Sequence, residues 1–502
     1  MENINIIQNQ LLKSSKIIKK FKFEKLFQER NESFLYQFED LEVDLTRQSI
    51  NKDILNNLIS LCRHLNFEKK KQELFAKEKI NFTENNFVLH PFLRTEQYRK
   101  SKEFKKLIKF SKLIRSSKNI KKIVNVGIGG SDLGPFMVND ALEDFSDGPE
   151  ISYVSNIDPM HLEKILRKCD PKATIFIIVS KSFNTIETLT NANLIKEWYK
   201  KNNVSFSNYL VAITASPEKS INFGIKKDYI FDFSSGVGGR FSLWSAVGLT
   251  IILSIGEQNY LQFLDGAYQI DKHFLETDLT DNIPFLMSLI RIWNRNYLKR
   301  NCYAIIPYEQ KLEKFPNWLQ QLEMESNGKS FFRRKQNIFS KTSPIIFGGI
   351  GTNSQHSFFQ LLHQGTDIIP VDILFARHSG VYSEIDNWRQ SHKILTYSAL
   401  AQADSLALGK QNKKNKHENF DGNRPSVLLS WGKTHPYELG RLIALYEYIT
   451  ISCGFIWGIN SFDQFGVELG KKQTLNLLNE ENMQSFTPTT SFHLKNYNNK
   501  KK

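Results

Sequence analysis

The segment TIFIIVSKSFNTIETLTNA, residues 174–192, contains a strand, a turn and the start of a helix. Its first half is a continuous apolar run rich in β-branched residues, which is typical of a strand buried on both faces of a parallel sheet. The turn carries the hydroxyl and ammonium donors of Ser180, Lys181, Ser182 and Thr185. Because free N–H groups and the helix dipole favour an anion at a helix N-terminus, the segment predicts a phosphate site. The alternative is that the turn only caps the helix and that its remaining hydroxyls bind no ligand.

A second turn of this kind precedes it in the chain. The apolar residues 123–126 predict a short strand, and GIGGSDLG, residues 127–134, follows directly. Glycines after a strand let backbone N–H groups approach a ligand closely. Asp132 stands where the dinucleotide-binding pattern needs a third glycine, and no Gly-Lys-Ser/Thr sequence follows. The turn therefore favours neither a nicotinamide cofactor nor a nucleotide P-loop.

Strands alternating with helices predict an α/β fold built on doubly wound parallel sheets. Further strands are expected at residues 151–154, 175–179, 209–214, 303–307, 343–347 and 370–374. With 502 residues the chain is too long for one core. The predicted regions are an N-terminal helical extension (1–95), a first α/β domain (96–265), a second α/β domain (266–435), C-terminal helices packing on the second domain (436–495) and a disordered tail (496–502).

The net charge of +15 is spread over lysine-rich segments typical of solvated surface. No stretch interleaves basic and aromatic residues as an RNA-binding strand does, so we expect neither a nucleic-acid partner nor a membrane partner. The four cysteines are far apart, which argues against a zinc or redox site and for reduced thiols in a cytoplasmic protein. The N-terminus lacks a signal-peptide pattern. The longest apolar run, Leu439 to Trp457, contains Arg441 and Glu447.

Two charged residues are candidates for chemistry. Arg240 follows two glycines, which suggests a tightly folded backbone presenting its guanidinium; an ion pair with Asp232 or Glu187 is the alternative. Glu325 stands beside Met324 and a small polar turn, and a carboxylate in a partly apolar site can act as a base near neutrality. From its neighbours alone, Glu325 is more readily interpreted as a surface or capping residue.

Two helical patterns complete the candidates. The segment Thr352 to His356, after Gly351, is predicted to open a helix on which His356, Gln360 and His363 share one face and Phe358, Leu361 and Leu362 face a core. His356 and His363 are seven residues apart, which does not fit a pair of metal ligands on a helix. Acid–base catalysis and a structural hydrogen bond remain as possible roles. Gln464, Glu468 and Lys471 are likewise expected on one helical face, with a surface Glu468–Lys471 ion pair as the alternative.

Together these segments resemble the glucose-6-phosphate isomerase (phosphoglucose isomerase) family over about residues 80–475, in the family's order. Asn86 stands where the family usually has arginine, and Ser354 replaces a usual glycine. The motifs that carry the resemblance are VGIGGSDLGP (126–135), SKSFNTIET (180–188), GGRFSLWSAVGL (238–249), QQLEMESNGKS (320–330), GTNSQHSFFQLLHQGT (351–366) and IWGINSFDQFGVELGK (456–471).

The resemblance implies two sugar-isomerase α/β domains (α/β/α sandwiches) in a homodimer with shared active sites, and neither a metal nor another cofactor. It implies reversible isomerisation of glucose 6-phosphate and fructose 6-phosphate through ring opening and a cis-enediol(ate), in glycolysis and gluconeogenesis. A non-catalytic sugar-phosphate sensor, or an isomerase that also accepts mannose 6-phosphate, is the alternative.

The resemblance also assigns roles to residues. Glu325 corresponds to the base that moves a proton between C2 and C1, and Arg240 to the cation beside the enediolate. His356 and Lys471 correspond to the pair that opens the sugar ring, with the histidine supplied by the neighbouring subunit. The residues implied to bind substrate are Ser180, Lys181, Ser182 and Thr185 at the phosphate and Gly130, Ser131, Gln321 and Gln464 at the sugar.

Overall fold

Two β-sheets organise the chain, and the computed structural model describes residues 2–23, 25, 33–332, 339–380 and 387–499. The first sheet is parallel, in the order β4-β3-β5-β6-β7, and the second has the order β1-β2-β11-β10-β8-β9. The strands are β1 (Leu35–Phe38), β2 (Leu41–Asp44), β3 (Lys122–Val126), β4 (Glu150–Val154), β5 (Thr174–Val179), β6 (Leu210–Thr214), β7 (Ile230–Asp232), β8 (Cys302–Pro307), β9 (Ile345–Gly348), β10 (Val371–Ala376) and β11 (Ser426–Trp431).

Helices alternate with these strands, as the sequence predicts, and the fold-class prediction is confirmed. The α-helices are α1 (Glu2–Ile18), α2 (Lys52–His64), α3 (Phe67–Phe75), α4 (Glu96–Arg99), α5 (Lys102–Arg115), α6 (Leu133–Ala141), α7 (Pro159–Leu166), α8 (Ile186–Lys201), α9 (Pro217–Asn222), α10 (Leu249–Glu276), α11 (Ile283–Ile292), α12 (Phe315–Gln320), α13 (Gly351–Gln355), α14 (Phe359–Gln364), α15 (Trp388–Leu408), α16 (Pro436–Trp457), α17 (Glu468–Leu478) and α18 (Pro488–Asn499).

The first sheet is buried at its centre, which is why β5 is a continuous apolar run. All of β5 is buried, and its Phe176 and Ile178 belong to one apolar cluster with Ala192 and Ile195 of α8. The edge strand β4 is only partly buried. Since all five strands run in the same direction, the turns after β3, β5 and β7 lie at one edge of the sheet, where ligands bind in open α/β folds.

The second sheet has an antiparallel addition that the sequence analysis does not predict. β1 and β2 form a hairpin, and β2 pairs antiparallel with β11. The prediction of a purely helical N-terminal extension is therefore wrong over these strands. The expected strand at 343–347 begins later, at Ile345.

The long apolar helix α16 packs against α10 and α11 in the core. It is long and apolar enough to cross a membrane, yet all of the residues in that apolar window are buried inside the protein. Its two central charges have partners: Arg441 pairs with Glu438, and Glu447 pairs with Arg94. A buried, charge-paired helix of this kind is a core helix of a folded protein.

The chain forms two compact units, Met1–Ser461 and Phe462–Lys502. The predicted domain boundaries do not follow them: α10 runs across residues 265 and 266, and α16 belongs to the first unit with both sheets. The predicted disordered tail, 496–502, is helical as far as Asn499, and its last three residues lie outside the described part of the chain.

Candidate active site

The turn after β5 and the start of α8 form a pocket of donors, here called the phosphate cradle (Ser180–Thr185). Thr185 precedes α8, yet its side chain does not cap that helix. Its Oγ1 lies 3.0 Å from Ser180 Oγ instead. The first N–H groups of α8 are therefore not satisfied by this side chain, and an anion can accept from them. This geometry disfavours the interpretation of Thr185 as a plain helix cap.

The cradle backbone is held in an unusual conformation. Phe183 has φ +49°, in the left-handed region that non-glycine residues rarely adopt. Its ring is buried and packs edge-on against Phe223, which holds that conformation. Ser182 is exposed and Ser180 is buried. The turn therefore presents hydroxyls at two depths.

Lys181 connects the cradle to the loop at residues 234–238. Its Nζ donates to the carbonyl oxygens of Ser235 and Val237, at 2.9 and 3.0 Å. Asn86, which stands where the family usually has arginine, donates to the same Ser235 oxygen at 2.8 Å. Asn86 therefore contacts this loop as well. Burial lowers the pKa of Lys181, and the charge of Glu84 opposes that shift.

The glycine-rich turn after β3 lies directly against the start of the Arg240 segment. A Cβ on Gly130 would lie 2.1 Å from the backbone of Gly239, so only glycine permits this approach. The Ser131 carbonyl accepts from Asn125 Nδ2 at 3.0 Å, which fixes the turn to the end of β3. The structure thus brings Gly130 and Ser131 beside Arg240.

Arg240 and Glu325 form the centre of the site. Arg240 follows β7 of the first sheet, and Glu325 follows β8 of the second sheet. Arg240 Nη1 lies 3.6 Å from Glu325 Oε1. Its Nε donates to Ser326 Oγ at 2.6 Å and its Nη2 to the Ser461 carbonyl at 2.5 Å. Gln321 Nε2 donates to Glu325 Oε2 at 2.8 Å. A buried guanidinium and an oriented, 21% exposed carboxylate therefore face one another.

Glu323, a buried acid two residues before Glu325, anchors the segment that carries Glu325. Residues Gln321–Glu325 form a π-helix, a local geometry that is frequent at functional sites. Glu323 within it is fully buried, lies 3.5 Å from Arg291, and accepts from Thr450 Oγ1 at 2.7 Å. This anchor leaves Glu325, two residues further on, at the partly open face.

His356 does not lie on a continuous helix, and that expectation is wrong. α13 ends at Gln355 and α14 begins at Phe359, with His356 exposed between them. Leu361 is 45% exposed, so it does not face a core as predicted, whereas Leu362 is buried. His363 Nε2 lies 2.8 Å from Gln402 Oε1, a structural hydrogen bond. Within the described residues of one chain, the His356 side chain makes no hydrogen bond or ion pair.

Gln464 and Lys471 both belong to the second unit, Phe462–Lys502. Gln464 precedes a short 3₁₀ turn and is not helical, so the expectation that it shares a helical face with Lys471 is wrong. Lys471 lies on α17, where its Nζ is 2.9 Å from Glu468 Oε1. The surface ion pair that the spacing allows is therefore present in this chain.

Sequence reasoning assigned no role to two residues at the site. Ser326 holds Arg240, and its position directly after Glu325 was the available signal. Asp132, in the glycine-rich turn, is buried, and one of its carboxylate oxygens has no hydrogen-bond partner. Burial raises the pKa of Asp132 to about 7, and a hydrogen bond from Ser155 opposes that shift. Asp132 is therefore a second titratable group beside Gly130 and Ser131.

The Asp132→Asn variant should gain stability relative to wild type as pH rises from 5 to 8. The folded pKa of Asp132 lies above its ordinary value, so its stabilising contribution is complete below pH about 4 and is lost as pH rises through about 7. Asparagine stays neutral throughout. The difference in unfolding free energy should change by about 2–4 kcal/mol across this range. Urea unfolding of both proteins at each pH measures it.

Glu218→Gln, on exposed α9, is the matched control and should show a pH-independent difference. Other buried acids titrate alike in wild type and variant, so their effects cancel. A constant difference between Asp132→Asn and wild type from pH 5 to 8 would contradict a raised pKa for Asp132.

The site offers cationic, hydroxyl and amide groups rather than a metal-ligand set. Within the described ranges of the chain, no group of three or more histidine, cysteine or acidic side chains could hold a metal ion. The chemistry available at Arg240, Glu325 and Gln321 is proton transfer beside a fixed positive charge.

The chain is similar to known proteins over most of its length. The family model described as phosphoglucose isomerase matches residues 44–493. Glucose-6-phosphate isomerase of Rhizobium leguminosarum bv. trifolii is 38% identical, over 90% of each chain. That of Candida glabrata is 40% identical, over 85% of this chain and 82% of the relative. A crystal structure of a glucose-6-phosphate isomerase from Chlamydia trachomatis superposes with a TM-score of 0.86 at 31% identity, covering 99% of this chain and 98% of that one.

Proposed function

The chain belongs to the phosphoglucose isomerase family and interconverts glucose 6-phosphate and fructose 6-phosphate, and we propose here which of its residues carry out each step. The observation that carries the proposal is the Arg240–Glu325–Gln321 arrangement beside the glycine-rich turn. An aldose–ketose isomerisation moves a proton between adjacent carbons and develops negative charge on oxygen. One carboxylate and one fixed cation meet both needs.

In the proposed mechanism Glu325 removes the proton from C2 of the open-chain aldose and returns it to C1, while the hydroxyl proton of O2 moves to O1 so that the ketone forms at C2. The negative charge that forms on the enediolate lies beside the Arg240 guanidinium. Hydrogen bonds to Ser326 and Ser461 hold Arg240 before substrate arrives, so little reorganisation is needed during the reaction. Gln321 orients Glu325 through its 2.8 Å hydrogen bond.

We assign the substrate phosphate to the cradle, where Ser180, Lys181, Ser182 and Thr185 accompany the N-terminus of α8. Lys181 donates hydrogen bonds to the loop that continues to Arg240. This loop therefore connects the proposed phosphate site with the residue proposed to lie beside the reacting carbons. Remote binding energy of this kind fixes the sugar's position for proton transfer. Gly130, Ser131, Gln321 and Gln464 are assigned to the sugar.

Ring opening is assigned to His356 and Lys471. Hexose phosphates are mostly cyclic, so an acid and a base must act before Glu325 does. His356 is exposed in a break between two short helices, where a second copy of the chain can meet it. We therefore propose a homodimer in which His356 completes the partner's site, working in glycolysis and gluconeogenesis in the cytoplasm.

Turnover is tested by a coupled assay with fructose 6-phosphate. The purified chain should form glucose 6-phosphate when neither metal nor nucleotide is added to the isomerisation step. Mannose 6-phosphate, tested in parallel, measures epimer tolerance. Absence of turnover by demonstrably folded protein would contradict the proposal.

Lys181→Ala and Thr185→Val should mainly weaken binding. Each removes a donor from the cradle, so KM should rise about tenfold or more, with a smaller loss of kcat because remote contacts also position the sugar. Inhibition by inorganic phosphate should weaken in parallel. Lys172→Ala, an exposed lysine ahead of β5, is the control. Unchanged KM and phosphate inhibition in both cradle variants would place the phosphate elsewhere.

A further inference from the structure

A cavity of about 350 Å³ lies at the other edge of the second sheet. It is bounded by Cys302 at the start of β8, by Ile369 just before β10, by Asn423 ahead of β11 and by Ile18 at the end of α1. β8, β10 and β11 run in parallel, so their amino ends share one edge. The segment carrying Glu325 follows the carboxyl end of β8. The cavity is therefore separate from the proposed active site.

Three cations line this cavity: Lys19, Lys299 and Arg300. Arg300 is only 8% exposed. Its Nη1 donates to Asn294 Oδ1 and its Nη2 to Ser49 Oγ, at 3.2 Å in the second case. Both acceptors are neutral, and across the described part of the chain no carboxylate lies within ion-pair distance of Arg300. A buried guanidinium without an anion is costly.

Most arginines of the described chain that are more deeply buried than Arg300 have carboxylate partners. Arg94 pairs with Asp271 and Glu447, and Arg291 pairs with Glu323 and Asp372. The two acids beside each of those guanidinium groups offset part of its desolvation cost. Arg300 has only neutral hydrogen-bond partners, as does Arg424, which donates to the carbonyl oxygens of Asp367 and Gly365. The cavity lining carries three cations, Lys19, Lys299 and Arg300, and one carboxylate, Asp367, so its charge balance favours an anionic ligand.

The electrostatics of the cavity agree with a missing anion. Burial lowers the pKa of Lys19, and the charges of Arg300 and Lys299 lower it further. Burial lowers the pKa of Arg300 to about 9; Tyr303 opposes this shift, and the charge of Arg424 makes a smaller contribution that lowers the pKa. Asp367 also lines the cavity, and its charge adds to burial in raising the pKa of the Cys302 thiol. The charges of Arg300 and Lys299 therefore act against the positive charge of Lys19.

We propose that this cavity binds a small phosphate-bearing anion at a site separate from that of the isomerised sugar phosphate. Its volume lies at the lower end of the range for small-molecule sites, enough for one or two phosphate groups with a compact carbon body. Arg300 and the two lysines supply charge-assisted hydrogen bonds, and the Ser49 hydroxyl and Asn423 amide line the same space. Ile18, Leu298 and Ile369 provide apolar walls.

Pyrophosphate is the probe, with the active site blocked by a saturating sugar-acid phosphate. Isothermal titration of the blocked wild-type protein should still show one binding event, and Tm should rise with pyrophosphate because binding favours the folded state. Inorganic phosphate in a parallel titration should bind more weakly, since it engages fewer donors. An absence of both heat and Tm shift with pyrophosphate would overturn the proposal.

Lys19→Gln/Lys299→Gln is the principal variant, because both lysines are exposed and the buried Arg300 is untouched. It should raise the Kd for pyrophosphate about tenfold or more. Lys13→Gln/Lys16→Gln is the matched control, with the same charge change on exposed positions of α1 outside the cavity. Both variants should keep kcat and KM for fructose 6-phosphate within about twofold of wild type. If the two double variants weakened pyrophosphate binding equally, the effect would come from net charge alone, and the proposed site would be wrong.

Cys302 supplies an independent readout. It lines the cavity and is partly exposed, as is Cys169, which lies outside it. In the blocked protein, pyrophosphate should slow modification of Cys302 by an uncharged maleimide several-fold and leave Cys169 unaffected. Unchanged modification of Cys302 at pyrophosphate concentrations that saturate the titration would place the bound anion elsewhere.

Discussion

Glu325→Gln is expected to lower kcat by about 10³- to 10⁴-fold while changing the Kd for substrate by less than about threefold. Glutamine keeps the shape of the side chain and can still contact Gln321, but it cannot accept the C2 proton. The phosphate cradle is untouched, so binding should persist. Steady-state kinetics give kcat, and titration calorimetry with a sugar-acid phosphate gives the binding constant.

Glu313→Gln is the matched control for this change. It makes the same substitution at an exposed position just before α12 and should leave both constants near wild type. Circular dichroism and thermal unfolding establish that the Glu325→Gln protein is folded. A folded variant with near-normal kcat would remove Glu325 from proton transfer. A variant that loses binding as strongly as turnover would make Glu325 a substrate-binding group instead.

Mixed dimers should recover activity that neither parent has. If the proposed dimer exists, each site combines Glu325 of one chain with His356 of the other, so Glu325→Gln and His356→Ala homodimers should both be nearly inactive. After joint unfolding and refolding, half of the dimers are hybrids with one intact site each. Activity should reach about a quarter of wild type, because catalytic groups at one site act as a unit.

The hybrid population must be demonstrated, for example by differently tagged chains separated on two affinity columns. Refolded mixtures of wild type with each single variant give the yield of active protein after refolding. His363→Ala controls for loss of a histidine whose hydrogen bond to Gln402 is structural. Hybrids that show no recovered activity would place His356 in the same subunit as Glu325, or outside catalysis.

The sequence predicts the first sheet well because local signals and tertiary packing agree there. β5 is buried on both faces, so its apolar run is unambiguous, and the hydroxyl-rich turn after it can only lie at the carboxyl edge. Close approach explains the glycine-rich turn as well: Gly130 is required where it meets Gly239. The turns that form the cradle and the sugar side were therefore visible from residue type alone.

The Arg240–Glu325 pair could not be derived from spacing, because the two residues are 85 positions apart in the sequence. Arg240 follows a strand of the first sheet, and Glu325 follows a strand of the second. Read alone, Glu325 resembles a surface residue; only the buried anchor at Glu323 explains why it is held in a site. The family resemblance supplied that assignment. The hairpin β1–β2 has a local signal, because Leu41–Asp44 alternates apolar and acidic residues, and the sequence analysis does not use it. Its pairing with β11 is long-range and has no local pattern.

Periodicity also failed where a helix is interrupted. The spacing around His356 fits one continuous helix, but the chain leaves helical geometry between α13 and α14, so the predicted shared face does not exist and Leu361 is exposed. The anion cavity at Arg300 has no motif either. Its lining is drawn from the start, the middle and the second half of the chain, and the lack of a counter-ion appears only in the folded arrangement.

Hydrogen exchange with solvent shows whether Glu325 carries the proton between C1 and C2. In deuterium oxide, wild-type enzyme converting fructose 6-phosphate should place deuterium at C2 of glucose 6-phosphate, because the proton resides on Glu325 between the two carbons and exchanges with water there. Glu325→Gln should incorporate none above background at matched binding saturation, as followed by proton magnetic resonance. Incorporation at C2 by the folded Glu325→Gln protein at the wild-type rate would contradict the account.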